Sequence, residues 1–277
     1  MEAVSRLPGT DGSRIQVIAH RGSSEDAPEH TLSAYRRAID DGADAVECDV
    51  RLTRDGHLVC VHDRRVDRTS NGRGVLSTLE LADLTALDFG SWRENWEDFE
   101  DPEVPDRDRA EILTLRRLLE TVADVGRRVE VAIETKHPTR YAGLVERRVV
   151  DLLAHFGWAH PRLGTSSPVR VMSFSQLSLR RMRLLAPSVE TVFLMERVPL
   201  RYRDGSLPPG VRIAGPSIDA VRAHPRYVER VQRLRNKVHV WTVDAVDDVT
   251  LCRNLGVDAI ITNRPRRVLE ELGRAVS

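Results

Sequence analysis

Glu47 and Asp49 stand two residues apart inside an apolar run over 45–52. In an extended strand that spacing places both carboxylates on one face, where they can reach a single ion. Glu134 closes a later apolar run. Three acids without a convincing cysteine or histidine shell favour a hard divalent cation, Mg²⁺ or Ca²⁺, over zinc. His20 ends an earlier run and His62 follows another. Imidazoles titrate near neutral pH, so the pair can act as general acid and base. Arg21 and Lys136 supply a planar fork of donors and a point charge that can hold phosphate oxygens. Metal, cations and a histidine pair around one spot point to hydrolysis of a phosphate ester. Plainer alternatives stay open. The acids can form a structural network with Arg21 and Lys136, and each histidine can simply be hydrogen-bonded at a strand end.

These residues need a scaffold that gathers strand ends. Apolar runs at 15–20, 45–52, 128–135, 169–173, 189–195, 211–216, 238–243 and 258–262 read as eight strands. Helical patterns at 31–41, 114–125, 141–155, 176–185 and 225–235, and from Asp247 and Pro265, fall among them. A segment at 58–61 pairs back on the second strand across Asp55-Gly56, a strong hairpin signal. The alternation predicts an α/β fold, a TIM-type (β/α)₈ barrel, whose chemistry belongs at the carboxyl ends of the strands. A doubly wound sheet is the alternative, because periodicity does not reveal closure. Within 45–52, Glu47, Asp49 and Arg51 share the inward face, while Val46, Cys48, Val50 and Leu52 face the helices. Val129, Val131 and Ile133 likewise point outward, and Glu134 and Lys136 inward.

The length of 277 residues suits one domain, with a barrel core at about 15–268. An insertion at about 63–110 breaks the rhythm. It carries a short predicted helix at 78–87, Trp92, Trp96 and an acidic stretch from Glu94 to Glu103. The tryptophans either meet a choline group by cation–π contact or pack; one-face spacing suits packing. Asp63, Arg68 and Asn71 lie near His62, and none is given a role.

Lys and Arg total 42, as do Asp and Glu, so the formal net charge is zero. That argues against duplex nucleic acid or an anionic membrane as a broad electrostatic partner. Cys48, Cys60 and Cys252 show neither zinc nor disulfide spacing. The polar first 14 residues lack the apolar core of a signal peptide, and no stretch is long enough to span a bilayer. A cytoplasmic location is the expectation.

The motifs Ala19-His20-Arg21-Gly22, Pro28-Glu29-His30-Thr31, Glu47-Cys48-Asp49-Val50, Thr53-Arg54-Asp55-Gly56-His57 and His62-Asp63 occur in order. With Ile133-Glu134-Thr135-Lys136, Val240-Trp241-Thr242-Val243 and Thr262-Asn263-Arg264-Pro265, the chain resembles the glycerophosphodiester phosphodiesterase family from about residue 15 to 268. Single tetrapeptides are weak signals, but their joint order is specific. The resemblance implies a TIM-type barrel with a small insertion after the second strand. It also implies metal-dependent hydrolysis of glycerophosphodiesters to glycerol 3-phosphate and an alcohol. It places His20 and His62 as the catalytic pair, Glu47, Asp49 and Glu134 on the metal, and Arg21 at the phosphate with Lys136 nearby. Glu29 then orients Arg21 or lines the metal site. Trp241 either lines the substrate pocket or serves the core. His30 stands where the family motif commonly has Asn, and a structural role is expected of it. The rivals are a lysophospholipase D-type enzyme, which needs an apolar channel beside the pocket, and a non-catalytic phosphodiester-binding barrel, which should have lost a histidine or a metal acid.

Overall fold

The computed structural model describes residues 14–93, 110–137, 143–162 and 164–274. Nine strands form the sheet: β1 Gln16–His20, β2 Ala45–Leu52, β3 Leu58–Cys60, β4 Glu130–Thr135, β5 Val169–Ser173, β6 Glu190–Met195, β7 Ile213–Pro216, β8 Lys237–Val240 and β9 Ala259–Thr262. All but β3 are parallel neighbours running from β1 through β2 and β4 to β9, and β1 pairs with both β2 and β9. The ring is therefore closed, which excludes the doubly wound sheet. β3 folds back antiparallel on the end of β2, and Gly56 in the turn has a φ of +84°, a conformation that costs glycine little.

The helices are α1 Leu32–Asp40, α2 Leu81–Thr85, α3 Leu115–Ala123, α4 Leu144–His155, α5 Gln176–Leu185, α6 Ile218–Ala223, α7 Arg226–Arg233, α8 Val246–Leu255 and α9 Pro265–Glu271. α1 begins where Thr31 Oγ1 accepts from Ala34 N at 3.3 Å, which satisfies one orphan donor of the first turn. α3 buries Leu115, Leu118, Leu119 and Val122, one stripe at helical spacing.

The strand alternation appears as two layers. Val46, Cys48, Val50, Val131 and Ile133 pack with Tyr35, Leu118, Val149 and Leu153 of the helices. Ile18, Ala45, Ala132, Met172, Leu194 and Ile261 fill the barrel interior. Each of the Ile, Met and Leu side chains contributes about 1.5–3 kcal/mol when fully buried. Inward alternation at the interior layer therefore sends His20, Glu47, Asp49 and Glu134 toward the carboxyl mouth.

Several elements differ from the sequence-based expectation. The short helix predicted at 78–87 starts later, at Leu81, because Asp83 Oδ2 accepts from Glu80 N at 2.9 Å and so fixes the first turn there. α6 was not anticipated; six residues capped by Ser217 are too few to show a period. β8 ends at Val240, and Trp241 makes only an isolated bridge to Ser217. Val59, Val61, Val66, Leu76, Leu84, Phe89 and Ile112 form a separate apolar cluster beneath the start of the segment inserted after β3. Trp96, the acids from Glu94 to Glu103, and the first residues of the helix predicted at 141–155 lie outside the described residues. Among the described residues no helix is long and apolar enough to cross a membrane.

Candidate active site

Strand register brings the acids together. His20 is the Cα partner of Glu47 across β1–β2, and Asp49 is the partner of Glu134 across β2–β4. Oxygens of Glu47, Asp49 and Glu134 lie within 4.8 Å of one another, and all three residues are buried. Burial, then the charge of Asp49, pushes Glu47 well above the usual carboxylate range. The same two causes push Glu134 up to about 8. Burial acts on Asp49 as well, but the hydrogen bond from His30 and the charge of Lys136 outweigh it and hold Asp49 well below its ordinary value.

Two cations stand against this cluster. Lys136 Nζ lies 2.9 Å from both Asp49 Oδ1 and Glu134 Oε1. Arg21 leaves β1 with a φ of +58°, a left-handed turn uncommon for a side chain of this size. Its backbone N–H donates to Glu47 Oε2 at 3.0 Å and to the Glu47 carbonyl at 3.1 Å. Its guanidinium reaches Asp49 Oδ2 at 3.1 Å and donates to Glu29 Oε1 at 3.1 Å. Glu29 in turn accepts two bonds from Arg68, at 2.7 and 2.9 Å. Against the effect of burial, Arg68 and Arg21 hold Glu29 down to about 2. Glu29 thus links Arg21 to Arg68. Gly22 follows with a φ of +85°, and a Cβ there would meet the Ala34 backbone at 2.6 Å.

The histidines are each fixed at Nδ1. His20 Nδ1 lies 2.7 Å from Asn263 Oδ1. Asn263 is oriented by Asp244, which accepts from its Nδ2 at 2.7 Å and its backbone N–H at 2.8 Å. Asn263 therefore presents an acceptor, and the His20 Nδ1 carries the hydrogen, leaving Nε2 with its lone pair 4.0 Å from Glu47 Oε2. Burial, followed by the Arg21 charge, lowers His20 to about 4. His62 Nδ1 bonds Asp63 Oδ1 at 2.7 Å, and Asp63 Oδ2 accepts from Arg68 at 2.6 Å. Burial lowers His62 as well. Arg51 donates twice to the His62 carbonyl, at 3.0 and 2.7 Å, and so holds the loop that carries it.

Several of these residues escaped the sequence reading. His30 is buried, with Nε2 3.0 Å from Asp49 Oδ2 and Nδ1 2.8 Å from the Tyr35 hydroxyl. It holds Asp49 in place from the Tyr35 side, and Asp49 is the contact that the sequence did not reveal. Asp63 and Arg68 brace His62 and Glu29, and Asn263 braces His20. The closeness of His62, Asp63 and Arg68 in sequence was the available signal; the contacts of Asn263 with His20 and of Arg68 with Glu29 span long stretches of chain. Arg68 also stands 6.0 Å above the Trp92 ring, and Trp92 Nε1 donates to the Phe89 carbonyl at 3.1 Å. Trp92 is therefore engaged within its own chain. Trp241 donates from Nε1 to Gly215 O at 2.7 Å and meets Phe174 edge to face at 5.5 Å. It packs on the barrel interior, and β8, which precedes it, is four strands from β4 around the ring of eight. Trp241 thus stands across the mouth from Glu134.

The residues present fit a hard divalent cation. All donors are carboxylate oxygens, and oxygens sharing one such ion lie on the order of 3–5 Å apart. Burial, then repulsion by Asp49, raises two of the three acids, a penalty that a cation relieves. Asp49 Oδ1 is buried without a directed hydrogen bond.

Comparison with known proteins places this arrangement among relatives. Residues 20–267 match the model of the glycerophosphoryl diester phosphodiesterase family. The chain is 45% identical over 251 residues to a Mycobacterium tuberculosis protein named probable glycerophosphodiester phosphodiesterase 1, covering 91% of this chain and 90% of the relative. It is 32% identical over 260 residues to a glycerophosphodiester phosphodiesterase of Caldanaerobacter subterraneus, covering 91% and 96%. The fold matches an Oleispira antarctica phosphodiesterase solved with its product sn-glycerol-3-phosphate, at a TM-score of 0.77 and 23% identity, over 93% and 96% of the two chains.

Proposed function

We propose, for a chain that belongs to the glycerophosphoryl diester phosphodiesterase family, that it hydrolyses glycerophosphodiesters to glycerol 3-phosphate and an alcohol with a divalent metal and two histidines. The observation that carries this reading is the convergence of the acid triad, Arg21, His20 and His62 at one end of the barrel. Glu47, Asp49 and Glu134 would hold Mg²⁺ or Ca²⁺, which when bound supplies positive charge to the phosphate and to the oxygens on which charge develops.

The chain's own residues do the rest. Arg21, pinned by Glu29 and Asp49, offers donors to a phosphate oxygen without having to reorganise. Lys136 keeps the acid cluster close to neutral and adds positive charge beside the phosphate. His20, held neutral by burial, accepts a proton at Nε2 from the attacking hydroxyl. That hydroxyl belongs either to the substrate's own glycerol, giving a cyclic phosphate that water then opens, or to water directly. His62 is braced at Nδ1 by a carboxylate that stabilises its cation, and it returns a proton to the leaving alkoxide. Trp241 and Phe174 provide an apolar wall for the carbon skeleton of the substrate. The domain reading, one barrel with a single inserted segment, goes with this function.

The test is release of glycerol 3-phosphate from glycerophosphocholine, measured with EDTA and then with Mg²⁺ or Ca²⁺ restored. Metal-restored release is the expected result. No release from this or any other glycerophosphodiester, with either metal, refutes the reading.

A further inference from the structure

The mouth of the barrel continues outward past Trp241. A groove of about 530 Å³ is lined by Trp241 and Thr242 at its inner end and by Glu196, Arg197, Arg203 and His224 farther out. A second hollow of about 340 Å³ shares Arg203 and His224 with it and adds Arg226 and Arg230. Arg203 therefore stands at the junction of the two.

The charge here is unbalanced. Arg197, Arg203, Arg226 and Arg230 are exposed. Among the described residues none of them has an acidic partner; Arg230 donates only to the Arg203 carbonyl, at 2.8 Å. Two acids line the groove, and one of them, Asp219, is held by Arg222 at 2.9 Å. Across the two hollows the lining counts four guanidinium groups, Arg197 and Arg203 in the first with Arg226 and Arg230 added in the second, against Glu196 and the Arg222-held Asp219. A chain of zero formal net charge has thus gathered unpaired guanidinium groups around two adjoining hollows, the first of which reaches Trp241 at the barrel mouth. Guanidinium groups in that setting recognise phosphate or carboxylate through paired charge-assisted hydrogen bonds, and a like-charged trimethylammonium headgroup is repelled.

We propose that this groove binds an anionic group that the substrate carries beyond its scissile phosphate, so that the preferred substrates are glycerophosphodiesters bearing a second phosphate. This rests on the phosphodiesterase reading above and narrows its substrate class. The reaction is unchanged: one P–O bond is broken with one water consumed, and the second phosphate only binds.

The test compares glycerophosphoglycerol with the same compound phosphorylated on one terminal hydroxyl, using the intact chain and its Arg203→Ala variant with metal supplied. A guanidinium–phosphate contact predicts that the intact chain prefers the phosphorylated compound by about tenfold or more in kcat/KM. Arg203→Ala should remove most of that preference, chiefly through KM, and leave glycerophosphoglycerol itself unaffected, which also shows that the variant is folded. Preference should weaken as salt is raised. Equal use of both compounds by the intact chain overturns the proposal, as does a preference that Arg203→Ala leaves untouched or a variant that loses both substrates alike. Cleavage of neither compound by an intact chain that still releases glycerol 3-phosphate from glycerophosphocholine overturns the groove proposal alone; cleavage of none of the three overturns the phosphodiesterase reading, and the groove proposal with it.

Discussion

Replacing Asp63 by Asn probes the proton-transfer reading most directly. Asp63 contributes one charge-assisted hydrogen bond of 2.7 Å to His62 Nδ1 and is itself held by Arg68 at 2.6 Å. Hydrogen bonds to charged groups contribute about 1.5–3 kcal/mol. The side chains of His62 and Asp63 are 35% and 32% exposed, so solvent screening moves the expected loss to about 1–2 kcal/mol. That corresponds to roughly a 5- to 30-fold fall in kcat. The sign of the pH effect follows from the same bond. Burial lowers the His62 pKa and the bond to Asp63 opposes it, so removing the Asp63 charge lowers that pKa further. With His62 as the proton donor, activity requires its protonated form, and the alkaline limb of the kcat–pH profile moves to lower pH. With His62 as the acceptor, the acidic limb moves instead. The assay is kcat and KM for glycerophosphocholine across pH 5–10 at saturating metal, with KM expected to change little. A variant with unchanged kcat and neither limb displaced removes His62–Asp63 from the chemistry.

Other perturbations test other parts of the structure. Glu47→Gln and Asp49→Asn should each weaken Mg²⁺ or Ca²⁺ binding about tenfold or more in calorimetric titration, whereas His20→Ala should abolish turnover and leave binding largely intact; unchanged titration in both acid variants would sink the metal assignment. Gly22→Ala sets a Cβ 2.6 Å from the Ala34 backbone at a φ of +85°. Strain plus overpacking of about 3 kcal/mol should lower the melting temperature by roughly 5–10 °C, and a shift within 1 °C would contradict the geometry. Glu146 is buried on α4, and the hydrogen bond from His137 outweighs burial to hold it down to about 2. Its stabilisation is complete above the unfolded carboxyl range near 4.5 and is lost as pH falls toward 2, an expected contribution of about 2–3 kcal/mol. Acid titration of denaturant midpoints should show that loss in the parent and not in Glu146→Gln.

The barrel was legible because alternation and hydrophobic runs record which face of a strand is dry. Glu47 and Asp49 stood out for the same reason: a charge on the inward face of an otherwise apolar strand has few structural uses. Their joining with Glu134 needed strand register, which only the β2–β4 pairing supplies. The closed ring needed the β1–β9 pairing, which leaves no periodic trace. His30 looked ordinary in sequence because its value lies in reaching Asp49, 19 residues on, from a left-handed turn. Asn263 was read only as part of a motif, since nothing local announces its contact with His20. The groove past Trp241 was invisible for another reason. Its arginines come from the segments after β6 and around α7, and overall neutrality conceals where charge is concentrated.

The bond between His20 and Asn263 spans 243 residues. During synthesis the three carboxylates have all been joined to the chain by residue 134, yet the brace for His20 and the strand that seals the ring arrive only at its far end. On the proposed reading, a ribosome-stalled intermediate lacking β9 is expected to possess the three acids without the brace that aligns His20. Competence would then wait for the last strand, and an unfinished polypeptide would be spared from cutting diesters before its architecture is complete.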